Sequence, residues 1–116
     1  MYFGFADQKR GERMLTTIDG FLRLDLALQE AKTSAARKAA RASLQEALNI
    51  FVRNTEQTAY TVLHGDRTPL QKEVFFAYTV PWAFSLRDAV FCSLKGSHKM
   101  ARQQLDKLSV EVRFAE

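Results

Sequence analysis

Two stripes at heptad spacing constrain this chain more than any other feature, because charge interrupts both. Met14, Ile18, Phe21, Asp25, Leu28 and Lys32 follow the alternating four-three spacing of one helix face. Arg37, Arg41, Leu44, Leu48, Phe51, Thr55, Thr58 and Val62 follow it again. By pattern each stripe is a packing seam. Their phases differ. Extending the first stripe leads to Ala35, Ala39, Ala42, Glu46 and Asn49, which lie almost opposite the second stripe at about 100° per residue. One straight helix would have to bury opposite faces at its two ends. A turn at residues 32–35, with Ser34 as N-cap, removes the conflict and makes an antiparallel hairpin. With the turn centred near Thr33-Ser34, Asp25 comes level with Arg41, Phe21 falls between Leu44 and Leu48, and Ile18 lies near Leu48. A buried carboxylate needs a partner for its own solvation, so Asp25 and Arg41 are expected to form a structural ion pair, with Arg37 as the second choice.

The remaining punctuation favours helices. Only two prolines and five glycines occur in 116 residues. The first helix is expected over residues 7–32, weakened by Gly11 and Gly20. A long second helix runs from about 35 to 63 and ends at His64-Gly65, with glycine at C′. Thr68-Pro69-Leu70-Gln71 is the clearest start signal: a capping threonine, a proline suited to the first turn, and a glutamine that completes a capping box. The third helix is apolar on every side, through Leu70, Val74, Phe75, Phe76, Tyr78, Val80, Trp82 and Phe84. Such a helix is central or covered by a partner. Pro81 should kink or restart it. Gly96-Ser97 marks the next stop and cap, and a last helix from His98 carries Ala101, Leu105 and Leu108. The tail Val110-Glu111-Val112-Arg113-Phe114 alternates with period two, but helix is the preferred reading over strand. The expected architecture is one all-α domain over residues 1–116, an elongated bundle of four to five helices with a proline-kinked aromatic third helix.

Composition narrows the function classes. A hydrophobic fraction of 47% and a charged fraction of 26% describe a folded chain rather than a disordered one. The lone cysteine, Cys92, can form no internal disulfide and suits a reducing compartment, so the cytoplasm is expected. Met1–Phe5 is too short for a signal-peptide core, and the apolar run at 74–86 is too short for a membrane span. No phosphate loop, nucleophile elbow or dinucleotide fingerprint is present. His64 and His98 have no metal-ligand spacing to other donors, so neither a metal nor a cofactor is expected. Leu94-Lys95-Gly96 resembles the Leu-Lys-Gly run of histidine-phosphotransfer domains, which are helical bundles; the position of their phosphorylated histidine, two residues before the leucine, holds Cys92 here.

Two kinds of surface remain. The aromatic concentration at Phe75, Tyr78, Trp82 and Phe84 exceeds what a small bundle readily covers, which points to a homo-oligomer or a protein partner. The net charge of +4 is mild, but Arg37 and Lys38 cluster with Arg41, and Lys95, Lys99 and Arg102 share a face. The expected function is non-catalytic protein binding through helix surfaces, as an adaptor, inhibitor or assembly factor. The alternative is a nucleic-acid-associated protein using the two basic clusters.

Overall fold

A computed structural model describes residues 8–113, and among them every regular element is helical. Helix α1 is Gln8–Glu30, α2 is Ser34–His64, α3 is Pro69–Val74, α4 is Val80–Leu94 and α5 is His98–Arg113. A π-helical turn, Phe75–Thr79, joins α3 to α4 into one kinked helix. The result is a four-helix bundle. α1 packs on α2 and α5, α4 packs on the same two, and α1 meets α4 across the diagonal. Short connections at 31–33, 65–68 and 95–97 make successive neighbours antiparallel. The bundle is elongated, 51 × 28 × 19 Å, because the 31 residues of α2 alone span about 46 Å.

Local chemistry explains where the helices begin and end. α2 starts one residue earlier than expected: the N-cap is Thr33 rather than Ser34, and its hydroxyl accepts from the Ala36 N–H at 3.0 Å. The capping box at Thr68 forms in both directions, 3.2 Å from the Gln71 N–H to Thr68 Oγ1 and 3.0 Å from the Thr68 N–H to Gln71 Oε1. Gly65 ends α2 as its C-cap in extended geometry, φ −92°, rather than as a left-handed C′ residue. Glycine is needed there for room, since a Cβ would stand 2.7 Å from the Thr61 carbonyl oxygen.

Pro81 is absorbed rather than restarting the helix. Proline has no N–H to donate and its ring crowds the preceding turn. The chain widens just upstream, where the Val80 N–H reaches back five residues to the Phe75 carbonyl. α4 then ends in a Schellman turn. The Ser97 N–H bonds the Cys92 carbonyl at 2.8 Å, the Gly96 N–H bonds the Ser93 carbonyl at 3.0 Å, and Gly96 takes φ +88°. A Cβ on Gly96 would touch nothing within 4 Å, so Gly96→Ala isolates the backbone strain. It is expected to cost about 1 kcal/mol in chemical denaturation.

The core follows the stripes, with corrections. Met14, Ile18, Phe21, Asp25 and Leu28 are all buried, as are Leu44, Leu48 and Val62 from α2. Lys32, Arg37 and Arg41 are exposed. The hairpin register differs from the expected one by more than a helical turn. Phe21 packs edge-on against Phe51, with ring centroids 5.9 Å apart, and Met14 and Thr17 line one cavity with Thr55 and Thr58. The first ten residues of α2 therefore lie largely outside the packed region, and none of them is buried. In α5, Ala101, Leu105, Leu108 and Val112 form a third buried stripe. The period-two tail is helical through Arg113; Phe114 lies outside the described residues, as do Asp7 and the aromatic run of Met1–Phe5.

The kinked aromatic helix is central along one face only. Its α4 portion buries Trp82, Ala83, Leu86, Ala89, Val90 and Ser93, while Leu70, Phe76, Tyr78 and Phe84 face solvent. Among the described residues no helix is long and apolar enough to cross a membrane.

Candidate functional site

Three features stand out from this scaffold: a buried polar layer, an apolar groove with a cavity behind it, and a basic end. The polar layer is built on Asp25, which is 2% exposed. The Schellman turn sets the end of α4 and the start of α5 beside the last turns of α1. Ser93 donates its hydroxyl to Asp25 Oδ1. His98 Nδ1 lies 2.7 Å from the same oxygen, and Gln29 Nε2 donates to Oδ2 at 2.7 Å. With a carboxylate as partner, Nδ1 is the nitrogen that carries the hydrogen in this contact. The first turn of α5 adds the positive end of its dipole.

This overturns the expected Asp25–Arg41 pair. Among the described residues no arginine pairs with the carboxylate: its ionisable partner is His98, and Arg41 is exposed on the first turns of α2. The demand for a partner was real, and α4 and α5 met it instead of α2. Spacing alone hinted at one member, since Gln29 follows Asp25 by one helical turn. Ser93 and His98 are 68 and 73 residues away in the chain, and no local signal ties them to Asp25.

Serine, histidine and aspartate invite comparison with acyl-transfer triads. The hydrogen bonds run differently. Ser93 and His98 both bond the same carboxylate oxygen, so no bond joins the serine hydroxyl to the imidazole, as proton abstraction requires. Cys92 is a half-buried free thiol, and no cluster of three or more metal-ligating side chains occurs among the described residues.

The groove runs between the second half of α2 and α4. Val52, Glu56 and Ala59 line one wall, and Val80, Phe84 and Arg87 the other, around a cavity of about 140 Å³. The Arg87 guanidinium lies over Phe84 and Phe91, 4.9 and 5.9 Å from their centroids, with both rings solvent-facing. Its Nε is buried without an acceptor.

Of the four aromatic residues expected at a partner surface, two are exposed and two are not. Tyr78 and Phe84 face solvent. Phe75 and Trp82, at 3% and 7% exposure, belong to the interior because their helix turns that side toward α1 and α2. Arg37, Lys38, Lys95, Lys99 and Arg102 are all exposed. The antiparallel order brings the start of α2 and the α4–α5 turn to the same end of the bundle, so the two basic clusters share that end. The described residues thus form a four-helix bundle in which a buried Asp25–Ser93 pair is joined by the half-buried His98. Comparison with protein-family models, with curated proteins and with solved structures finds no match.

Proposed function

We propose that this chain is a non-catalytic protein-interaction module whose docking surface is the α2–α4 groove. The observation that supports the reading most is Arg87. A guanidinium lying over two exposed rings, with Nε unpartnered among the described residues and Nη2 only in a long 3.4 Å contact with the exposed Asp88, is a seat for an acidic side chain carried on an apolar helix face. A second copy of the chain supplies such a face. Glu56 stands beside Val52 and Ala59 on the wall opposite Arg87, so a two-fold pairing of groove against groove sets each Glu56 against the other copy's Arg87. The single half-buried thiol fits a reducing, cytoplasmic setting.

Sedimentation equilibrium tests the reading. A dimer is expected at micromolar concentration. Phe84→Asp and Arg87→Glu each give monomer, and adding Glu56→Arg to Arg87→Glu restores the dimer. A wild-type chain that stays monomeric, or a dimer indifferent to Arg87→Glu, refutes it.

A second reading rests on the shared basic end, where Arg37 and Lys38 stand at the same end as Lys95, Lys99 and Arg102. Contact with a nucleic-acid backbone there would be weak and sequence-independent. A chain of net charge +4 neutralises few phosphates, so log affinity should fall with log salt on a shallow slope. Tight, sequence-selective binding at physiological salt would promote this reading over the first.

A further inference from the structure

On the other side of Phe51 and Ala83 lies a larger cavity, of about 370 Å³, walled by α1, α2, the π-helical turn and α4. That volume is in the range of small-molecule sites. Its apolar walls are Met14, Phe51, Phe75, Trp82 and Ala83, with the Phe51 and Trp82 rings in edge contact at 6.0 Å. Arg13, Asn54 and several threonines supply the polar lining, and among the described residues no acidic side chain contributes to it.

Two wall residues carry buried polar atoms that nothing satisfies among the described residues: Trp82 Nε1 and Thr79 Oγ1. The other helical threonines, Thr16, Thr17, Thr55, Thr58 and Thr61, each donate to the carbonyl four residues back. Thr79 is the exception: it closes the widened turn, where the Phe75 carbonyl four residues back accepts the Val80 N–H, and its own hydroxyl has no partner among the described residues. Thr79 Oγ1 and Trp82 Nε1, on two residues of the same wall, are thus both buried and unpaired, which is costly. Widened turns of this kind occur often at functional sites.

We infer that this cavity binds a small carboxylate with an apolar body, such as an aryl- or alkyl-substituted acid. Trp82 Nε1 and Thr79 Oγ1 are the donors for its oxygens, reached by a small adjustment of the wall that now covers them. Among the described residues Arg13, at the rim, supplies the only charge of the lining and forms no ion pair. One guanidinium and two neutral donors match a monoanion. A phosphate dianion would need more compensation than this largely apolar wall offers. The site is separate from the α2–α4 groove and does not depend on protein docking there.

The chain reports on this site by itself, because Trp82 is its only tryptophan. Titrating the full chain with 3-phenylpropionate, benzoate and octanoate, followed by Trp82 emission, tests the inference. At least one acid is expected to give a saturable shift, while 3-phenylpropanol binds at least tenfold more weakly and 3-phenylpropylamine gives no shift. Arg13→Ala is expected to raise Kd at least tenfold and Thr79→Val at least threefold, whereas Arg102→Ala, outside the cavity, leaves it unchanged. No saturable shift with any acid into the millimolar range, equal binding of the amine, or indifference to Arg13→Ala overturns the inference.

Discussion

Asp25→Ala is expected to destabilise the bundle by about 3 kcal/mol, read from urea midpoints at constant slope. The mechanism is stranding. The alanine fills little of the space and leaves the Ser93 hydroxyl, which is fully enclosed, without its acceptor. Gln29 and His98 also lose their partner but reach solvent more readily; the His98 side chain is 27% exposed. A buried donor without a partner costs about 1–3 kcal/mol. Asp25→Asn should cost less, because one amide oxygen still receives Ser93 and His98, and only the Gln29 contact must rearrange. Arg41→Ala supplies the contrast. Its side chain stands in solvent on the protruding start of α2, so the change should stay within about 0.5 kcal/mol. A large loss on Arg41→Ala would restore the ion pair between Asp25 and Arg41.

Leu86→Ala should cost about 3–4 kcal/mol, as a full cavity in the middle of the bundle. Leu86 is completely buried and lies midway along α4, the helix that packs against α1, α2 and α5 at once. Three neighbours limit how far any one of them can collapse into the space. Truncating Leu70, at the solvent-facing start of α3 and 69% exposed, should change stability little. Equal losses at both positions would mean that α4 does not occupy the centre.

Local rules carried much of the architecture. The phase conflict between two stripes required a break near Thr33, and the break is there. The capping box at Thr68 and the glycine stop at Gly96 stand where their chemistry called for them. These features are legible because each is decided within about one helical turn: a side chain and a backbone group a few residues apart either satisfy each other or do not.

The register of the first hairpin was not legible. It depends on how α1 and α2 seat against α4 and α5, and the packing of Phe21 on Phe51 and of Phe51 on Trp82 sets it. The stripe of α1 already showed that Asp25 would be enclosed and would need partners. Only the tertiary structure decided that those partners are Ser93 and His98, because a carboxylate's demand for donors is local but their supply comes from whichever helix ends the fold brings to it. The same holds for Trp82 and Phe84. Two residues apart on one apolar helix, they are alike in the sequence. The angle at which α4 meets its neighbours turned the first inward and left the second facing solvent.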